Sequence, residues 1–185
     1  MLTCCCWNLR GLGQAPKCAD VLSELLSINP HAVFIQETKL DSIDKIKAHS
    51  FLPKQLTTYH SKPSSGSCGG ILNAFSQAHF SIQSQSTSDF TLTSVVTCLA
   101  SPTPLYLTNV YAPTDHHLKS LFLDHLASIA PPPNCPWMLL GDFNLMRSPE
   151  DKNNPSFRFN EADLFNDTID QLALIELPLL DRSYT

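Results

Sequence analysis

Two apolar periods alternate along this chain. Blocks of unbroken or alternating apolar residues, suited to strands, occupy positions 2–8, 32–36, 71–75, 80–83, 90–99, 105–110 and 137–140. Helical spacing appears three times. Val21, Leu22, Leu25 and Leu26 recur until Asn29-Pro30 stops the helix. Leu118, Leu121, Phe122, Leu126 and Ile129 fall on one stripe behind Thr114 or Asp115 as N-cap. A last helix runs over residues 161–174, and a short one is expected over 43–49. Residues 61–70, with Pro63 and three glycines, read as a loop, as does the polar stretch 145–159 with Pro149 and Pro155. The order predicts a mixed α/β (α+β) protein, one domain over residues 1–185, with sheets packed face to face and helices outside.

Trp137-Met138-Leu139-Leu140-Gly141-Asp142-Phe143-Asn144 organises the pattern. Four apolar residues behind a proline cluster form a short buried strand, and two polar side chains follow its glycine. Ligands of α/β sheets bind at the carboxyl ends of strands. A strand-ending turn also favours Gly, Asp and Asn for conformational reasons alone. The same ending recurs, however: Asn8 after the first strand, Glu37 after the second, and Tyr111 after residues 105–110. Each is a side chain of the kind a hydrolytic metal site uses.

Composition narrows the classes. Apolar residues make up 43% and charged residues 16%, as in a soluble globular protein, and no apolar run approaches a membrane span. Met1–Trp7 lacks the basic start of a secretory signal, and seven cysteines, three of them adjacent at 4–6, follow no disulfide spacing. An intracellular location, nucleus or cytoplasm, with thiols reduced is expected, and the triplet is read as filling a strand. The net charge of −5 and scattered basic residues do not advertise a phosphate-gripping face, but they suit a carboxylate-lined metal site.

Trp7-Asn8-Leu9-Arg10-Gly11-Leu12, Gln36-Glu37-Thr38-Lys39, Asn109-Val110-Tyr111-Ala112-Pro113 and Gly141-Asp142-Phe143-Asn144, in that order, resemble the motifs of the endonuclease/exonuclease/phosphatase superfamily. Within it they are most similar to the apurinic-endonuclease-type domain of plant LINE-type (non-LTR) retrotransposons. The resemblance implies a four-layer α/β/β/α sandwich of DNase I-like type and hydrolysis of DNA phosphodiester bonds with Mg²⁺ (Mn²⁺ as substitute) by attack of water. It implies Glu37 as metal ligand, with Asn8 beside it at the metal and phosphate. Asp142 would orient or deprotonate the water, Asn144 and Tyr111 would donate to the phosphate, and Asn109 and Thr185 would contact phosphate.

The resemblance is incomplete. Members continue into an Arg-Leu-Asp-type stretch and a final Ser-Asp-His, and neither occurs here. Thr114-Asp115-His116 is a superficial match that opens a helix, so capping by Thr114 or Asp115 is its expected role. The expectation is therefore a domain cut short at its C-terminus, missing its last strands, with activity reduced or lost and open sheet edges that invite self-association. Two alternatives stay open: a phosphatase of small phosphorylated molecules or lipids on the same fold, and a non-catalytic remnant.

Overall fold

The structure, a computed structural model, describes residues 2–66, 68–99, 101–151 and 157–177. They form two compact units: one takes the chain up to Tyr111 together with Pro131–Asp142, the other Ala112–Ala130 and the residues from Phe143 on.

The first unit holds two four-stranded sheets. Strands β1 (Cys4–Asn8), β2 (Ala32–Gln36), β3 (Thr58–Ser65) and β4 (Cys68–Phe75) form one sheet, in the order β1-β2-β4-β3. The other, in the order β5-β6-β7-β8, comprises β5 (Phe80–Thr87), β6 (Thr91–Cys98), β7 (Ser101–Tyr111) and β8 (Trp137–Asp142). Both sheets are mixed, since β1 runs parallel to β2 and β7 parallel to β8, while the other neighbours are antiparallel.

Helix α1 (Ala15–Ile28) supplies the crossover between β1 and β2. Proline in its first turn needs no amide partner there. Asn29 ends it in the left-handed region at φ 50°, donating its N–H to Leu25 O. Its buried residues Cys18, Val21 and Leu25 meet Val33, Ile35 and Leu72 of the first sheet, with Ala48 of the short α2 (Lys45–His49) in the same cluster. Strand β2 is buried throughout. Its alternation explains why: Val33 and Ile35 join that helical cluster, whereas Ala32 and Phe34 join Phe75, Phe80, Val96 and Leu107 in a second core between the sheets.

The second unit contains α3 (Lys119–Ser128) and α4 (Phe159–Gln171). Phe143 packs between them, its ring 6.3 Å from that of Phe122 and 5.6 Å from that of Phe165. Asn166 of α4 holds Arg147 at both ends, accepting from Nε at 2.8 Å and donating to its carbonyl at 3.0 Å. Asp115 accepts from the His117 amide at 2.9 Å, so the Thr114-Asp115-His116 triplet does cap a helical turn.

Several expectations change. Residues 61–70 are not a loop: β3 and β4 make a hairpin through them, with Gly66 at the turn in the left-handed region. Polar side chains hid an edge strand whose pattern follows its exposure. The stripe of α3 is also rotated. Lys119, Phe122, Leu123 and Leu126 are buried, while Leu118 and Leu121 are exposed. Strand β8 is half-buried along its whole length, because it borders its sheet with β7 on one side only. Cys4 and Cys6 are exposed on edge strand β1, and only Cys5 of the triplet packs against the core. The six described cysteines with placed side chains are all free. No described helix is long and apolar enough to cross a membrane.

Candidate active site

Three strand ends of the first unit meet through one carboxamide. Asn8, the last residue of β1, donates from Nδ2 to Glu37 Oε1 at 2.9 Å and to Asp142 Oδ2 at 2.8 Å. A carboxamide has two N–H bonds, and here both go to carboxylates from different sheets. The Asn8 Oδ1 accepts from the Arg10 amide at 3.2 Å, which fixes the ring of contacts from the backbone side. Residues 8, 37 and 142 are thus gathered across 134 positions of sequence.

Backbone strain marks the same turns. Of the seven described non-glycine residues with positive φ, four lie in the motifs: Arg10 (54°), Glu37 (53°), Lys39 (54°) and Asn144 (48°). Such conformations cost on the order of 1–3 kcal/mol each and persist where surroundings over-determine them. Around Glu37 they do so. Thr38 donates to Gly70 O and Lys39 to Gly69 O, both at 3.1 Å, while Thr38 O accepts from Leu12 at 2.9 Å. Gly70 leaves room for this turn: at its φ of 85° a Cβ would lie 2.2 Å from Thr38 Oγ1. Lys39 Nζ stands 3.8 Å from Glu37 Oε2, a surface pair that contributes about 0–1 kcal/mol but neutralises charge locally.

Beside the carboxylates lies Cys6. Partial desolvation, with a further contribution from the neighbouring thiol Cys5 and the Asp142 carboxylate, pushes its thiol up to about 11 despite the opposing hydrogen bond with Gln36. Without a metal its proton is therefore held more firmly than that of a free thiol.

The other expected residues fall differently. Tyr111 ends β7 directly opposite Asp142 in the parallel register. Asn144 belongs to the second unit, where it is exposed and donates from Nδ2 to Ala112 O at 2.9 Å. Asn109, expected at a phosphate, is 0% exposed between the sheets. Its Nδ2 faces the carbonyls of Ile35 and Leu72 and Asn73 Oδ1, and its Oδ1 accepts from Gln36, so no polar atom is presented to solvent. Thr185 lies outside the described residues.

Lys119 was not foreseen. It is 3% exposed, and its Nζ donates to Pro113 O at 2.5 Å and Asn144 O at 2.6 Å, tying together the segments on which Pro113 and Asn144 sit. The available signal was a lysine heading the stripe Lys119, Phe122, Leu123, Leu126, spaced i, i+3, i+4, i+7. Replacing it with methionine keeps the length but removes the donor from two carbonyls, at about 1–3 kcal/mol. Lys119→Met should lower the melting temperature by roughly 2–12 °C in a thermal denaturation followed by circular dichroism. An unchanged melt would show that water replaces the ammonium.

The donor set suits a hard cation. Glu37 and Asp142 offer carboxylate oxygens, and the Glu37 side chain retains 19% of its surface, enough for a hydrated ion to reach it. Among the described residues no group of three or more His, Cys, Asp or Glu is disposed to hold a metal. Mg²⁺ commonly takes one or two carboxylates and keeps several waters, so Glu37 as a single carboxylate ligand fits it.

Among solved structures, the chain is similar to the AP endonuclease LMAP from Leishmania major (TM-score 0.72, 14% identity, covering 90% of this chain and 65% of that one). It also resembles an AP endonuclease from Archaeoglobus fulgidus (TM-score 0.67, 15% identity, 92% and 71%). A third is the mannosyl-6-phosphatase Bt3783 of Bacteroides thetaiotaomicron (TM-score 0.61, 13% identity, 90% and 70%). These likenesses identify the fold as the DNase I-like one of two mixed sheets with flanking helices. The chain spans about two thirds of the Leishmania protein's length. No curated protein matches it in sequence. The profile of the Endonuclease/Exonuclease/phosphatase family matches residues 5–182, through all four motifs, and the chain belongs to that family.

Proposed function

We propose that this chain is a Mg²⁺-dependent phosphodiester hydrolase acting on DNA, an endonuclease domain of LINE-type retrotransposon origin working in the nucleus or cytoplasm. The observation that carries the proposal is the Asn8 carboxamide joining Glu37 and Asp142 at 2.9 and 2.8 Å. Glu37 and the Oδ1 side of Asn8 would hold the cation. When bound, Mg²⁺ supplies charge neutralisation at the phosphate and at the leaving oxygen. Asp142 accepts a hydrogen bond from water in line with the phosphorus and takes its proton. Asn8 keeps both carboxylates oriented, because either one swinging away forfeits a charge-assisted hydrogen bond. Tyr111 donates to the phosphoryl oxygens where negative charge grows, and Asn144 is assigned a donor role on the motif match. Thr185 is assigned a further phosphate contact on the motif match.

The experiment incubates supercoiled plasmid with the protein in Mg²⁺, with and without chelator, and measures Mg²⁺ binding by titration calorimetry. We expect at most weak nicking, which the chelator stops, and Glu37→Ala should weaken Mg²⁺ binding more than tenfold. Unchanged binding in that variant removes Glu37 as a ligand. The acidic balance of −5 and the likeness to a mannosyl-6-phosphatase favour one second reading, a phosphomonoesterase. Phosphate release from mannose 6-phosphate without plasmid nicking would select it.

A further inference from the structure

Glu37 is carried on the end of the first sheet and Asp142 on the end of the second, so their separation depends on how the two sheets of the first unit are aligned. The apolar core between the sheets, Phe34, Phe75, Phe80, Val96 and Leu107, does not fix that alignment by itself. Hydrophobic burial is non-directional and tolerates small slides. Three buried carboxamides lie in the same interface: Gln36 at 1%, Asn73 at 0% and Asn109 at 0% exposure. Burying an amide is unfavourable unless its hydrogen bonds are replaced, and here they are. The one buried side-chain atom without a partner among the described residues is Gln85 Nε2, elsewhere in the unit.

The bonds run in both directions across the gap. From β7 of the second sheet, Asn109 Nδ2 reaches Ile35 O at 3.2 Å and Leu72 O at 3.1 Å, both in the first sheet, and Asn73 Oδ1 at 2.8 Å. From β4 of the first sheet, Asn73 Nδ2 reaches Leu92 O and Ser94 Oγ of β6, each at 3.1 Å. Gln36 closes the set with Nε2 at 2.5 Å from Asn109 Oδ1 and 3.4 Å from Cys6 Sγ. The bonded carbonyls determine which end of each amide is nitrogen, so the arrangement is self-consistent. Gln36 immediately precedes Glu37 and pairs with Asn8, while Asn109 pairs with Leu140 two residues before Asp142. Each end of the clasp is therefore one or two residues from a carboxylate.

We propose that Gln36, Asn73 and Asn109 are positioning residues whose directional bonds hold the two sheets in the one alignment that lets Asn8 span Glu37 and Asp142. Its catalytic consequence rests on the hydrolase reading above; its geometric consequence does not. Nearly isosteric apolar replacement separates the two roles a buried network can have, because removing the three amides together strands none of them, whereas removing one strands the others. The test compares the parent with the single variant Asn109→Leu and the triple variant Gln36→Met, Asn73→Leu, Asn109→Leu. The single variant should melt well below the parent and the triple variant above the single one, held short of the parent by the donors that Leu92 O and Ser94 Oγ lose. Yet in the triple variant the Asn8 side-chain NH₂ protons, observed by ¹⁵N-edited NMR without metal, should lose at least tenfold of their protection from exchange. Mg²⁺ affinity should fall at least tenfold, and kcat for nicking should fall with KM for plasmid held within about twofold.

A triple variant with normal melting, normal Asn8 protection and normal Mg²⁺ affinity overturns the proposal, since the clasp would then be structural filling. Should the triple variant not fold, Gln36→Met alone decides on the same readouts. Failure of both to fold also overturns it, because the carboxamides would then be needed for the fold itself. If the parent binds no Mg²⁺ and cuts nothing, the hydrolase reading fails alone, and the Asn8 protons still decide the clasp.

Discussion

Asp142→Ala should reduce plasmid nicking by about 10²- to 10⁴-fold, the range for removing a positioned general base. The carboxylate is the last side chain of β8 and accepts from Asn8 Nδ2 at 2.8 Å. Alanine removes the acceptor and leaves the backbone pairing with Tyr111 in place. The fold should tolerate it. Two carboxylates share one carboxamide here, and like charges at close range disfavour one another, so deleting one offsets the lost hydrogen bond. The melting temperature should thus stay within a few degrees of the parent while activity falls by orders of magnitude. Asp142→Asn refines the result: it keeps an oxygen for Asn8 but takes up no proton, and it should be nearly as inactive. Nicking within threefold of the parent in both variants would take Asp142 out of the mechanism.

Gly141→Ala should have the largest effect on folding, whatever the protein hydrolyses. Gly141 adopts φ 137°, a region essentially reserved for glycine, and an added Cβ would lie 2.0 Å from Val110 O and 2.8 Å from Val110 C and N. These are backbone atoms of the strand with which Gly141 itself is paired, so no side chain can rotate away. The conformational cost alone is on the order of 1–3 kcal/mol. The overlap adds to it, and the total becomes a large share of the roughly 5–15 kcal/mol by which domains are stable. A drop in melting temperature of at least about 10 °C, or loss of soluble protein, is the expected result. Gly13→Ala is the control: its Cβ would meet nothing within 4 Å, and it should change stability by less than about 0.5 kcal/mol. A Gly141→Ala protein melting with the parent would mean that β8 parts from β7 at that point.

Much of this protein is legible from local pattern, and the particular elements show why. Strand β2 begins and ends at Ala32 and Gln36, as its uninterrupted apolar run predicts. Pro30 stands before it, and Glu37 leaves the strand by turning to φ 53°. Asn8, Glu37 and Asp142 were each visible as a polar group closing an apolar run, because a strand's carboxyl end and its side-chain chemistry are adjacent in sequence. The capping role of Asp115 was equally local, since a cap and its amide are two residues apart.

Tertiary structure alone decided the rest. The hairpin of β3 with β4 was hidden because Thr58–Ser65 forms an edge, and an edge strand need not carry apolar residues to keep its pairing. The half-burial of β8 depends on its having one neighbour, a property of the sheet order and not of Trp137–Leu140. Asn109 was expected at a phosphate because the family resemblance includes it in the motif of Tyr111. Its burial follows from where Ile35, Leu72 and Asn73 come to lie, and those partners are 74, 37 and 36 residues away. Lys119 is buried for the same kind of reason: its acceptors are carbonyls, which every residue carries, so no side-chain pattern announces them. The amino-acid sequence determined which groups could do chemistry, through short-range order of apolar and polar residues. The tertiary fold decided which of them meet, because hydrogen bonds to backbone and across sheets are satisfied by position in space.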